Sequence, residues 1–382
     1  MAATLSSITD LITTNGLAEN YTTGETLNTT IPADKYAPYT KPMAQIWIYG
    51  GLPTLILGII GHTLGIVVIL YRKKSRKTPA TIYLVSLSFA GIILLIIPLL
   101  QIVLKSMLKP EQPDPFREHT RAGCKIHVQL TYAILHFCAW LQATIAIDRL
   151  LFVATPLKYK LIVTWQRAII VIVSEFCVLL TADSVFAYYV DIRDGKCTYR
   201  AELVTFHIPL SYFDTILYSI LPGLLMIVIY VVIVIIYSRT RINIGTSRKS
   251  DKTGEKMGVV FFALNVVFLV TSLPSCIILI ILAYDRNMTP EQEIKMNTIG
   301  LTVTSVLSYL GSACTFIVYC LAGSQFRNTL KEIVCGRNLS ASGKRSPAVT
   351  KTTSLVSNDS TSVMAPNSET NKSIDTLNTL SK

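Results

Sequence analysis

Seven apolar blocks, each of 20 or more residues and set apart by short polar pieces, constrain this chain more than any other feature. They fall at about residues 46–71, 81–104, 122–150, 168–190, 208–238, 257–284 and 297–322. About 20 apolar residues in a helix cross the hydrocarbon core of a bilayer. Lipid offers no water to backbone N–H and C=O groups, so each block is expected to be a helix that bonds its own backbone. Only 15% of residues are charged and 51% are hydrophobic, whereas a soluble domain carries about a quarter charged residues. Pro53, Pro98, Pro222 and Pro274 lie within blocks, where neighbouring helices tolerate the kinks they cause. The first 45 residues contain no short apolar core with a basic flank, so no cleaved signal peptide is expected and the first span directs insertion. No internal repeat of the transporter kind is visible.

A net charge of +12 raises the question of nucleic acid. The bases instead cluster beside the ends of apolar blocks, the pattern that orients a membrane protein. "YRKKSRK" after the first block has five bases and no acid. Lys158, Lys160 and Arg167 follow the third block, and Arg239, Arg241, Arg248, Lys249 and Lys252 follow the fifth. The alternate connections mix signs: Lys109, Glu111, Asp114, Arg117 and Glu118, then Asp191, Arg193 and Asp194. The expected topology puts the N-terminus outside and the C-terminus in the cytoplasm. Asn20 and Asn28 then head sequons on the glycosylated side. Asn338, Asn358 and Asn371 head sequons in the tail, so the charge bias and not the sequons sets the orientation.

The third block ends in "AIDRLLFVATPLKYK", residues 146–160. Taken alone, Asp148 and Arg149 read equally well as an interfacial pair at a helix end. Further residues stand in register with them. Cys124 lies 25 residues before Arg149, and Pro156-Leu157 follows. Pro222 and Tyr230 are eight apart; Phe268 and Pro274 mark the sixth block; Tyr319 precedes "SQFR". Together, over residues 46–335, this set resembles the rhodopsin-like (class A) G-protein-coupled receptors.

The resemblance implies an all-α bundle of seven transmembrane helices over 46–323, a short amphipathic membrane-surface helix over 324–335 and a disordered cytoplasmic tail over 336–382, with residues 1–45 as an extracellular glycosylated tail. It implies a disulfide between Cys124 and Cys197, pinning the second outer loop over the third helix. It makes Arg149 a cytoplasmic latch, paired with Asp148 at rest and freed to meet a heterotrimeric G protein, with Tyr230 and Tyr319 as switch residues. Glu255, near the start of the sixth block, is a further candidate partner for Arg149, although the family's acid is not matched there. The loop "YYVDIRDGKCTYR" carries Asp194-Gly195, a two-residue turn signal between β-rich stretches. A hairpin lid of that type resembles the family's peptide receptors, and the style of loop one resembles invertebrate ones.

Gln129, Tyr132 and His136 recur at three and four residues and share a helix face that Trp140 continues. With Asp214 and Tyr309 they form the expected ligand set. An ionisable group inside a span is a functional candidate by default, and Asp214 is suited to a cationic ligand group. Glu175 and Asp183 in the fourth block read as inter-helix hydrogen bonders. Thr131 and Tyr309 stand where the family's amine receptors and opsins carry an aspartate and a lysine, which disfavours both ligand classes. Cys335 is placed for palmitoylation, with an unmodified cysteine as the equal alternative. The Ser/Thr-rich stretch "TKTTSLVSNDSTS" suits phosphorylation and an arrestin-like reader.

The departures from the family concentrate in the middle of the spans. Gly61-His62 replaces Gly-Asn, Gly91 replaces the aspartate of the sodium pocket, and Ser272 replaces a tryptophan. Ser174-Glu175 occupies the region of the fourth-span tryptophan, and Thr315-Phe316 replaces Asn-Pro. No allosteric sodium site is expected, and a Gly91→Asp exchange is expected to introduce sodium sensitivity. No cofactor, metal site, nucleic-acid surface or enzymatic motif is expected. Alternatives are a divergent chemosensory receptor of the same fold, a transporter or channel, and a non-signalling seven-helix scaffold.

Overall fold

The computed structural model describes residues 37–71, 77–108, 112–200, 207–243, 252–284 and 288–335. Among these residues six helices are long and apolar enough to cross a membrane: Pro38–Tyr71, Pro79–Met107, Arg121–Ala154, Trp165–Tyr189, Pro209–Arg239 and Val259–Leu282. A seventh span joins Pro290–Ala313 to Thr315–Leu321 across a bend of 46°. Spans 1 to 7 are these helices in chain order. A short helix, Pro156–Ile162, follows span 3, and another, Ser324–Cys335, follows span 7.

Threonine caps start four of the spans. The Thr78, Thr120 and Thr164 side chains accept from the backbone N–H groups of Thr81, Gly123 and Arg167. Thr289 forms a reciprocal capping box with Gln292. Pro79 and Pro290 occupy first-turn positions, where the missing N–H is no loss. Spans 1, 3 and 7 run past the apolar blocks. Span 1 begins at Pro38 rather than 46, span 3 ends at Ala154 rather than 150, and span 7 begins at Pro290 rather than 297. Apolarity marks the length immersed in lipid, whereas caps decide where the backbone leaves the helix. Three of the four π-helical turns among the described residues lie at or just before a proline, and the fourth, Met296–Gly300, does not. The π-helical turn Leu95–Leu99 contains Pro98, and those at Trp47–Gly51 and Ile216–Ile220 end just before Pro53 and Pro222.

Span 3 is the central strut, with 78% of its apolar window buried, while span 4, at 22%, is peripheral. The main core packs Leu95, Leu99, Leu141, Ile145, Phe261 and Tyr319 from several spans. Ile56, Leu57, Ile60 and Leu64 on span 1 remain exposed, as a lipid-facing surface requires.

At one end of the bundle, β1 (Val190–Arg193) and β2 (Lys196–Tyr199) form an antiparallel hairpin in which Ile192 opposes Cys197. Its turn residues Asp194 and Gly195 have φ of 50° and 76°, the left-handed pair that a two-residue hairpin loop needs. Cys197 is bonded to Cys124 at the start of span 3. The buried face of the hairpin, Val190, Cys197 and Tyr199, packs on Val128, Tyr132 and Phe186. It closes that end of the bundle as a lid.

The loop between spans 2 and 3 is folded around a buried acid. Asp114 accepts from the backbone N–H groups of Phe116 and Arg117 at 2.9 and 3.1 Å, from Arg117 Nε at 3.4 Å, and from the Gln101 amide. Burial alone pushes the Asp114 carboxyl up; the Arg117 guanidinium and these hydrogen bonds outweigh it and hold the group below the usual carboxylate range. A depressed folded-state value stabilises the fold above the ordinary carboxylate range, and that stability is lost as pH falls through the lowered value. The melting temperature of the purified protein is therefore expected to drop on acidification in this window. Asp114→Asn is expected to lower the neutral-pH melting temperature and flatten that slope, and an unchanged slope would rule out this anchor.

Candidate functional site

Beneath the lid, three buried ionisable groups meet. Tyr132 and His136 lie one turn apart on span 3 and face the same way. Asp183 ends the straight part of span 4, Trp165–Ala182, before the short segment Ser184–Tyr189. Asp214 stands on span 5 just ahead of the widened turn Ile216–Ile220. His136 Nδ1 lies 2.9 Å from Asp183 Oδ1, and Nε2 lies 3.1 Å from Asp214 Oδ1. The three are 0%, 0% and 3% exposed, so water does not screen them. Each ring nitrogen lies within hydrogen-bond reach of one carboxyl group. Asp183 Oδ2 meets no hydrogen-bonding partner among the described residues.

Aromatic rings wall this cluster. Tyr132 stacks on Phe186 with centroids 3.6 Å apart and planes at 6°. Phe186 also packs near Phe213 at 6.1 Å, and Tyr218 lies 6.4 Å from His136.

Of the ligand set read from the sequence, the structure brings Tyr132, His136 and Asp214 together. Gln129 turns aside, its amide donating to Leu180 O of span 4 at 3.0 Å. Tyr309 is buried edge-on to Trp47 of span 1, with centroids 6.2 Å apart. Trp140 donates to Leu217 O at 2.9 Å and so ties span 3 to the widened turn of span 5. Asp183 escaped the sequence reading as a site residue. Its one signal there is an ionisable side chain inside an apolar block. Glu175 accepts from Thr144 of span 3 at 2.7 Å, a contact between helices.

At the other end of span 3, Arg149 is held on several sides. Its guanidinium pairs with the Asp148 carboxylate. Tyr159, on the short helix after span 3, donates to Asp148 Oδ1 at 2.9 Å, and Arg149 Nη2 reaches the same hydroxyl at 3.5 Å. Burial and the nearby Asp148 carboxylate push the Tyr159 hydroxyl up, so it remains a donor. The guanidinium also lies over Phe261 of span 6 at 4.8 Å and over Phe152 at 5.5 Å, close enough for cation–π attraction. Tyr159 and Phe261 escaped the sequence reading. Tyr159 sits in "PLKY", and nothing in the sequence distinguishes Phe261 from any core phenylalanine.

The two expected switch tyrosines have other neighbours in this conformation. The Tyr230 hydroxyl accepts from Asn265 Nδ2 of span 6 at 3.0 Å. Tyr319 is buried beside Phe326 of the terminal helix, with centroids 5.5 Å apart. Asn20, Asn28 and the side chains of Glu255 and Cys335 lie outside the described residues. Among the described residues no group of three or more His, Cys, Asp or Glu side chains is placed to hold a metal ion.

A family model described as "7 transmembrane receptor (rhodopsin family)" matches residues 63–319. The thyrotropin-releasing hormone receptor of Gallus gallus is 28% identical over 182 residues, 46% of this chain and 44% of that receptor. The chain thus matches rather less than half the length of that relative. Neuromedin-U receptor 2 of Mus musculus is 24% identical over 296 residues, covering 73% of this chain and 72% of that receptor. The Rattus norvegicus counterpart is 23% identical over 297 residues, with the same coverage.

Removing one member of a buried ion pair strands the other, at about 3–5 kcal/mol. His136→Ala leaves two acids without their shared donor. It is expected to depress the melting temperature of the purified protein sharply, and adding Asp183→Asn with Asp214→Asn to recover most of the loss. If the triple variant melts no higher than the single one, the three groups do not act as a clamp.

Proposed function

We propose that this chain, which belongs to the rhodopsin family of seven-transmembrane receptors, binds an extracellular peptide through the His136 cluster and passes the signal to a heterotrimeric G protein. It is a multi-pass membrane protein with its N-terminus outside and its C-terminus in the cytoplasm, and it is related to peptide receptors. The lid and the His136 cluster then face the exterior, and Arg149 faces the cytoplasm.

The observation that carries the ligand assignment is His136 clamped between Asp183 and Asp214 beneath a disulfide-pinned hairpin. The open Asp183 Oδ2 suits a hydrogen-bond donor on the ligand, a cationic one above all. Such a group competes with His136 for the carboxylates and so bears on how spans 3, 4 and 5 are held together. A ligand shifts a two-state bundle only by binding one arrangement more tightly. Here the difference lies in how the two acids divide between His136 and the ligand. Tyr132 and Phe186 wall the ligand; Gln129 and Tyr309 shape the spans around it.

At the cytoplasmic end Arg149 is the latch, with Asp148 and Tyr159 holding the guanidinium and Phe261 covering it. Release of span 6 uncovers Arg149 for the G protein. Tyr230 and Tyr319 take new partners in that movement. Asn20 and Asn28 carry glycans, Cys335 carries a palmitoyl group, and the phosphorylated tail recruits an arrestin. The finer likeness to invertebrate peptide receptors rests on the hairpin and on loop one. A chemosensory receptor of the same fold differs in its ligand alone.

A peptide library read by guanine-nucleotide exchange in cells expressing the full chain is the test. Active peptides are expected to carry a basic group, and Asp183→Asn to weaken them by roughly ten- to a hundredfold, the span expected for one charged hydrogen bond. Equal potency on Asp183→Asn would move the ligand elsewhere. Arg149→Ala is expected to abolish exchange while surface expression and most ligand binding persist. Full exchange from that variant would remove the latch, and ligand-driven ion current or uptake without a G protein would favour a transporter.

A further inference from the structure

Deeper in the bundle than the clamp, a cavity of about 40 Å³ lies between the spans. His62, Gln142, Tyr218, Ser308, Ser312 and Thr315 give it polar lining, and no Asp, Glu, Lys or Arg faces it. His62 is 1% exposed, and neither of its ring nitrogens meets a hydrogen-bonding partner among the described residues. A Cβ placed on Gly91 would stand 2.4 Å from both Cε1 and Nε2 of that ring. The imidazole therefore occupies the space that a side chain at position 91 would fill. The two residues are one exchange: a ring delivered from span 1 requires a glycine on span 2.

We propose that this cavity is a binding site for a small neutral molecule that both donates and accepts hydrogen bonds, water above all, and that it rejects monovalent cations. With no acid in the lining the ring is neutral, having one donor and one acceptor nitrogen. The Ser308 hydroxyl shares its one hydrogen between Thr271 O and Thr304 O and is hydrogen-bonded to Tyr218 as well, while the Thr315 hydroxyl donates to Ser312 O, which leaves the Thr315 oxygen as an acceptor. The guest must therefore give a hydrogen to the Thr315 oxygen and to the bare ring nitrogen, and take one from the ring N–H. Water does all three, and the space admits on the order of one to three molecules. A sodium ion finds a lone nitrogen and neutral oxygens but no anion to balance its charge. The carboxylate that would balance it, if supplied at position 91 alone, displaces the buried His62 ring from its place. The simple expectation for Gly91→Asp is corrected by that contact.

The test uses the purified full chain, melted in sodium chloride and in N-methylglucamine chloride at equal ionic strength. The native protein is expected to melt alike in both; stabilisation by sodium would overturn the proposal. Gly91→Asp is expected to fold poorly, whereas His62→Asn with Gly91→Asp is expected to fold and to gain a sodium-dependent rise. A double variant that folds without that rise overturns the assignment of the exchange. His62→Leu is expected to lower the melting temperature in both salts, and His62→Gln, which keeps a donor and an acceptor, to recover part of it. A rise on His62→Leu would mean a dry cavity and would overturn the water site. A high-resolution map is expected to show density within hydrogen-bond distance of the ring, and a bare ring there would do the same.

Discussion

Inside a bilayer a polar side chain has no water to turn to, so each one on a buried helix must find its partner on a neighbour. Span 3 meets this constraint at most of its polar positions, Thr131 Oγ1 being an exception among the described residues. Cys124 bonds the lid, Gln129 reaches Leu180 O, and His136 bridges Asp183 and Asp214. One turn further, Trp140 donates to Leu217 O, and Thr144 donates to Glu175. Arg149 lies over Phe261 at the far end. Spans 4, 5 and 6 and the lid are thus each fixed to the same strut by specific polar or charged contacts. Apolar packing in lipid supplies no such specificity, because the tails are as apolar as the side chains.

The two ends of that strut carry opposite chemistry. The outer end presents a histidine between two carboxyl groups, one of them with an unfilled oxygen, and the inner end presents a cation held by an acid, a phenol and two aromatic rings. Each is a bistable contact in the sense that an incoming charge can replace an internal one. Span 5 is the element both ends share. It bears Asp214 and the widened turn at the outer end, and Tyr230, bonded to span 6, nearer the inner one. A change in how Asp214 is held therefore bears on a helix already tied to the span that covers Arg149.

Helix positions and the hairpin turn were readable from the chain because they depend on near neighbours in sequence. Apolar runs mark the spans and Asp194-Gly195 marks the hairpin, whereas the threonine caps that set the helix starts emerged only with the structure. Cys124 with Cys197 came from a resemblance rather than from spacing. The clamp was half visible: His136 and Asp214 stood out as polar residues in apolar runs, but so did Glu175 and Asp183. Only the rotation and depth of span 4 decide that Asp183 faces His136 while Glu175 faces Thr144. A single sequence holds no record of those two quantities. Phe261 and Tyr159 were hidden for a different reason, since a buried phenylalanine and a loop tyrosine carry no mark until the guanidinium lies against them.

The residues that depart from the family's pattern gather at the layer between the two ends. His62 and Thr315 line the central cavity, and Gly91 abuts the His62 ring. Ser272 faces Ser219 across spans 5 and 6 at 3.4 Å, and Phe316 lies against Gly61. At two of these places a charged or bulky family residue gives way to a small neutral one, Gly91 for the aspartate and Ser272 for the tryptophan, and no Asp, Glu, Lys or Arg lines the cavity. That pattern has a physical logic. A layer held by an ion must take up or release the ion's charge whenever the helices move, at a cost set by burial. A layer held by hydroxyls and one neutral ring exchanges hydrogen bonds instead, each of which is individually small. The ends can then keep their charges, where partners from outside the bundle reach them, while the middle moves without moving a charge.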